Sequence, residues 1–227
     1  GTVNVPISAI APLAEIPSVG KCDPWVLRRQ GVDPAAFAQE ESLFAVANGA
    51  LGVRGGLEEG GNHSQRSFLA GVWERSPIHY HERFSGFARH TDTRVPVADG
   101  TGIRLRLGDT LVDLAQGQWL GFARELDMRR GLFRRTLRWR SAQGQTLDII
   151  AERLAALDEP GQLAMRYQVI SVDYSGPVTL ESSIDADAGA AESSQACFRP
   201  VRVSFDRRWR SGHPAPGQHR PQRCDAW

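Results

Sequence analysis

The sequence predicts an all-β fold, a large antiparallel β-sandwich with a short helix near the N-terminus. Three observations carry this. From Ile103 onward apolar residues recur at every second position. Short runs of this kind are parted by tight turns rich in Gly and Asp. Little of the chain carries a helical pattern, which argues against a parallel α/β sheet. At 227 residues the length suits one large β domain or two small ones.

The elements follow in order. Residues 1–20 mix small, apolar and proline residues without a period and read as an extended lead-in. Asp33-Pro34 is a helix start, with Asp accepting at the N-cap and Pro in the first turn, so a short helix is expected over Ala35–Glu41. Ile103, Leu105 and Leu107 alternate with Arg104 and Arg106, and Gly108-Asp109-Thr110 turns the chain into Leu111–Leu114. Arg135–Arg140 alternates around Leu137 and Trp139, Gln143-Gly144 makes the turn, and Leu147–Leu154 returns. Leu163, Met165, Tyr167 and Val169 form the next alternating run, and Val178, Leu180 and Ile184 another after Gly176-Pro177. Such alternation puts apolar side chains on one face of a half-buried strand. The arginines at the alternate positions are read as the wet face, and Trp139 as core. The sandwich is expected over residues 21–192. Residues 193–227 are rich in Arg, Pro, Gly and Gln without a period; Val201, Val203 and Phe205 suit one more strand, and the rest is expected to be disordered.

Composition narrows the function classes. The chain is 41% hydrophobic and 23% charged, ordinary for a globular protein. A net charge of +1 supplies no whole-molecule attraction to nucleic acid or membrane, and neither is an expected partner. Cys22, Cys197 and Cys224 are few, odd in number and without metal spacing; free thiols in a reducing compartment are expected. The first residues lack a signal peptide's basic start and apolar run, and no run has the length of a membrane span. A cytoplasmic location is the expectation. Gly1 in place of Met suggests a trimmed or tagged chain.

The most informative segment is Asn48-Gly49-Ala50-Leu51-Gly52-Val53-Arg54-Gly55-Gly56-Leu57-Glu58-Glu59-Gly60. Its glycines permit positive φ or close approach of another chain, and Arg54, Glu58 and Glu59 add charges of both signs. Such a segment suits anchoring a loop against a neighbouring domain. It is no dinucleotide fingerprint, since the glycine spacing is wrong, and no P-loop, since no Gly-Lys-Ser/Thr follows.

Together with Glu41-Ser42-Leu43-Phe44 ahead of it, this segment resembles the opening signature of glycoside hydrolase family 65. The likeness continues in order through Phe68–Glu74, Leu126-Asp127-Met128-Arg129-Arg130-Gly131, Glu152-Arg153 and Met165-Arg166-Tyr167, spanning about residues 25–185. Ala50 departs from it, standing where the family usually has a bulkier residue.

That family contains maltose, trehalose and kojibiose phosphorylases and some hydrolases. The resemblance implies a sandwich similar to galactose mutarotase, packed on an (α/α)6 catalytic barrel. The family inverts α-linked disaccharides: one carboxylic acid protonates the leaving oxygen while phosphate, or water in hydrolases, attacks the opposite face. That acid lies in the barrel, so the resemblance carries over no catalytic residue, metal or cofactor. Inorganic phosphate would serve a phosphorylase parent. The implied partners are the barrel, a second copy in a homodimer, and carbohydrate. Asn48, Gly49, Arg54, Gly55, Glu58, Glu59, Trp73 and Glu74 are the candidates for a domain interface or the edge of a sugar pocket. The chain is expected to be inactive alone. A deliberate cut or a frameshift would explain its irregular tail, and the frameshift is preferred.

Other readings stay open beside this one. His79-Tyr80-His81-Glu82, if extended, puts two histidines on one face, yet a structural metal site needs four ligands and a polar strand end explains the pair equally well. An epimerase-like enzyme would need a histidine acid among His63, His79, His81 and His90 facing Glu58, Glu74 or Glu82. A free-standing sandwich that binds a glucoside would use tryptophans; of Trp25, Trp73, Trp119 and Trp139, Trp73 is the candidate for ligand contact. The arginine-rich tail lacks the aromatic interleaving of a nucleic-acid module.

Overall fold

The computed structural model describes residues 2–7, 23–60, 66–82, 84–185 and 224–226. In chain order the elements are β1 (Thr2–Ile7), β2 (Val26–Gln30), α1 (Phe37–Leu43), β3 (Val46–Ala47), β4 (Leu51–Val53), β5 (Ser67–Pro77) and β6 (His90–Pro96). Then follow β7 (Asp99–Leu107), β8 (Thr110–Leu111), β9 (Gln118–Asp127), β10 (Leu132–Arg140), β11 (Thr146–Ala155), β12 (Leu163–Ser171), β13 (Gly176–Asp185) and β14 (Cys224–Ala226). They form three antiparallel sheets. The first has the order β1-β13-β7-β8, the second β14-β12-β11-β10-β9-β2, and the third β3-β4-β5-β6.

The period-two runs become strands β7, β10, β11, β12 and β13, and the expected Ser141–Gln145 turn joins β10 to β11. The helix lies two residues further along than expected. Asp33 Oδ1 accepts from the Ala35 N–H at 3.0 Å, but Pro34–Ala36 forms a turn first, and helical bonding starts at Phe37. Of the irregular tail, Cys224–Ala226 pairs with Tyr167–Val169 at the edge of the six-stranded sheet. The suggested strand around Val201, Val203 and Phe205 lies outside the described residues.

The first and second sheets face each other. Ile103, Leu105, Leu107, Val178 and Leu180 of one meet Phe122, Leu137, Trp139, Leu147, Ile149 and Val169 of the other. Each fully buried aliphatic side chain contributes about 1.5–3 kcal/mol, so this layer dominates the stability. Trp139 is 3% exposed, the core residue that its alternation with Leu137 indicates. A second, smaller core lies where Phe44, Val46 and Val53 pack on Phe133, with Leu27, Leu126 and Leu163 around them. The six-stranded sheet is therefore covered on one face by two different things: the four-stranded β7/β13 sheet at one end, α1 and the base of the third sheet at the other.

The wet-face reading of the arginines fails on that covered face. Arg135 shares the inward parity of Phe133, Leu137 and Trp139, and it is fully buried. Arg124 on β9 and Arg153 on β11 are buried as well, at 1% exposure each.

Candidate functional site

The inward arginines form a row. Arg124 sits across from Arg29 on one side and Arg135 on the other, and Ala151 and Tyr167 continue the row beyond β10. Arg153 stands one pair further along, across from Phe133 and Met165. Unpaired, these guanidiniums would be prohibitively costly to bury. Their counter-charges arrive from α1 and the glycine-rich segment laid over the sheet.

Glu40 on α1 bonds Arg124 and lies 3.4 Å from Arg29. Glu58 is the hub. Its two oxygens accept from Arg135 Nη2 at 2.6 Å and from Arg153 Nε and Nη2 at 2.8 and 2.6 Å. Glu59 accepts from Arg135 Nη2 at 2.7 Å and from the Tyr167 hydroxyl at 2.5 Å. Arg153 also donates to the Arg54 and Gly56 carbonyls, which fixes the segment's backbone as well as its side chains. Arg124 lies within 5.2 Å of the Phe37, Phe44 and Phe122 rings, whose π faces give the cation a second source of attraction.

The protonation states follow from this geometry. Burial alone would raise the Glu58 carboxyl, but Arg135 and Arg153 outweigh it and hold it below its ordinary value of 4.5. Burial would lower Arg135, and Glu58 and Glu59 reverse that, so it stays charged. Burial and the neighbouring Glu59 both push the Tyr167 phenol well up, so it remains a neutral donor. Burial lowers Arg124, against the pull of Glu40 and Glu41. A carboxylate held ionised in this way is a poor general acid near neutrality. The arrangement suits clamping one layer to another. Truncating one member of such a buried pair typically costs about 3–5 kcal/mol, because a charge is left without its partner.

The eight candidates divide into two groups. Glu58 and Glu59 turn inward onto the arginines, with side chains 0% and 1% exposed. Arg54 reaches back to α1, donating to the Ala38 carbonyl at 2.6 Å and Ser42 Oγ at 2.9 Å. Gly55 backs onto the end of α1, where a Cβ would stand 2.6 Å from Phe44 Cβ and 2.8 Å from its carbonyl oxygen. Asn48 ties two segments together: Oδ1 accepts from the Ala50 and Leu51 N–H groups, while Nδ2 donates to the Ala156 and Pro160 carbonyls at 2.7 and 3.0 Å. Gly49, at φ +88°, lets that turn close without strain.

Trp73 and Glu74 belong elsewhere. They lie on the outer part of β5, where Trp73 is 52% exposed and stacks against Arg94. Among the described residues no hydrogen bond or ion pair joins them to the glycine-rich segment. His79, His81 and His90 are exposed on the same projection, away from the buried Glu58. His63 lies outside the described residues.

Reading from sequence missed Arg124, Arg135, Arg153, Tyr167 and Glu40. The signal for the arginines was strand parity. Phe122 and Leu126 flank Arg124, Leu137 and Phe133 flank Arg135, and Ala151 and Ala155 flank Arg153, all at steps of two.

The model of the N-terminal domain of glycosyl hydrolase family 65 matches residues 27–213, most of the chain and all of this seam. The chain belongs to that family. An uncharacterised glycosyl hydrolase of Mycobacterium tuberculosis is 32% identical over 173 residues, which is 76% of this chain and 22% of the relative. The α,α-trehalose phosphorylase of Thermoanaerobacter brockii is 29% identical over 176 residues, 75% of this chain and 23% of that enzyme. The maltose phosphorylase of Bacillus subtilis is 28% identical over 174 residues, with 76% and 23% covered. The family 65 domain thus spans about a fifth to a quarter of the length of these curated relatives. A putative kojibiose phosphorylase from the human microbiome shares the fold, with a TM-score of 0.57 at 23% identity over 66% of this chain and 20% of that one. In this family 65 domain the signature segment is packed into the fold.

Proposed function

We propose that this chain is the non-catalytic N-terminal part of an inverting α-glucoside phosphorylase or hydrolase, a support for an (α/α)6 barrel and one edge of its sugar pocket. The observation that carries this reading is the use of Glu58 and Glu59. Both carboxylates of the family signature are engaged by buried arginines. They serve to hold the domain together and leave acid catalysis to another part of the enzyme. The small share of each relative's length that the chain covers supports the same reading.

The test is phosphorolysis by the chain alone. With maltose, trehalose or kojibiose and inorganic phosphate, no glucose 1-phosphate is expected above the uncatalysed background. Release of glucose 1-phosphate, abolished by Glu58→Gln in a protein that still folds, would overturn the proposal. A free-standing glucoside binder would show itself instead by saturable quenching of Trp73 fluorescence with these sugars.

A further inference from the structure

The outer half of the third sheet is a projecting arm. The base of β5 pairs with β4 at Ser67–Leu69; beyond Gly71, β5 pairs only with β6, matching Trp73–Pro77 to His90–Arg94. A lone two-stranded hairpin is marginal in water, whereas three or more strands hold. The far edge of β6 has no neighbour among the described residues, and His90, Thr91, Asp92, Thr93 and Arg94 are all exposed. Nothing within the strand blocks pairing: Pro96 stands at its end, and no bulge interrupts 90–94.

We propose that this edge pairs antiparallel with the same edge of a second copy, centred on Thr93, to make one continuous sheet through both chains. Two features select that register. The Ile78 N–H donates to the Arg89 carbonyl at 2.9 Å, and ladder alternation from there turns the N–H and C=O groups of His90, Asp92 and Arg94 outward. Centring on Thr93 then sets Asp92 of each chain opposite Arg94 of the other, a self-complementary pair of opposite charges. Within one chain Asp92 already lies 4.0 Å from Arg75, and Arg94 lies over the Phe68 and Trp73 rings at 5.3 and 5.7 Å. The joined sheet therefore carries a row running Arg75, Asp92, the second copy's Arg94 and its Trp73. Each arginine in that row has an acid or a ring beside it. Centring on Asp92 instead would set the two Asp92 side chains against each other, which is destabilising.

The test is sedimentation velocity of the full chain with two single variants. The wild type is expected to dimerise. Asp92→Arg places arginine opposite arginine, and Arg94→Asp places aspartate opposite aspartate, so each should weaken dimerisation by roughly tenfold or more. An equimolar mixture of the two variants restores both opposite-charge pairs and should recover a heterodimer near the wild-type affinity. That recovery also excludes a variant that merely unfolds the arm. A wild type that stays monomeric up to about 100 µM, single variants that dimerise unchanged, or a mixture that fails to recover would each overturn the proposal. None of these outcomes bears on phosphorolysis, so this proposal stands or falls apart from the catalytic reading.

Discussion

Tyr167 and Glu58 titrate at opposite ends of the pH scale, and both are wired into the same buried seam. The Glu58 carboxyl is held below 4.5, so its contribution is fully present above that value and lost as pH falls through the lower folded value. The Tyr167 phenol is raised above 10.0, so its contribution is present below 10 and lost as pH rises through the higher folded value. The urea midpoint should therefore be flat between roughly pH 5 and 9 and drop on both sides. Tyr167→Phe removes the donor to Glu59 and should cost about 1–2 kcal/mol at pH 7, while shrinking the alkaline drop and leaving the acid one. An alkaline limb unchanged in that variant would show that Tyr167 is not its source. Gly55→Ala forces a methyl against the Phe44 backbone, where nothing flexible can give way, and should cost about 1–3 kcal/mol in the same unfolding measurement.

Among the elements, the glycine-rich segment and the arm behave as opposites. The segment is tied at every turn: Asn48 to the loop after β11, Arg54 to α1, and the Gly56 carbonyl to β11 through Arg153. Asn48→Ala releases the Ala156 and Pro160 carbonyls, and limited proteolysis should then cut first around Leu157, which is already 83% exposed. Cleavage elsewhere first would mean that Asn48 does not hold this loop. The strands were legible because their period is local: Leu137 and Trp139 announce a buried face by themselves. The parity that buries Arg135 was equally visible, but an arginine on that face makes sense only once Glu58 and Glu59 are known to lie over it. Those partners are 77 and 76 residues away in sequence, and pairing at that distance leaves no local trace. The arm was hidden for a similar reason. His79–Glu82 read as a polar strand end, and nothing local shows that the strand continues away from the core.

For the whole molecule, the family signature is explained as a clamp between layers. It presses α1 and the third sheet onto the same face of the six-stranded sheet that the β7/β13 sheet covers. Two cores, one on each half of that face, are joined through Glu58, Arg135 and Arg153. The chemistry of the longer relatives then depends on parts beyond this domain, and the domain supplies a rigid body to build against. The most direct measurement is equilibrium urea unfolding at pH 7 of Glu58→Gln beside Glu74→Gln, with the wild type as reference. A clamp predicts a loss of about 3–5 kcal/mol for Glu58→Gln, shrinking as pH falls below 4.5, and a change within about 0.5 kcal/mol for Glu74→Gln on the exposed arm. Equal, small losses from both substitutions would contradict it.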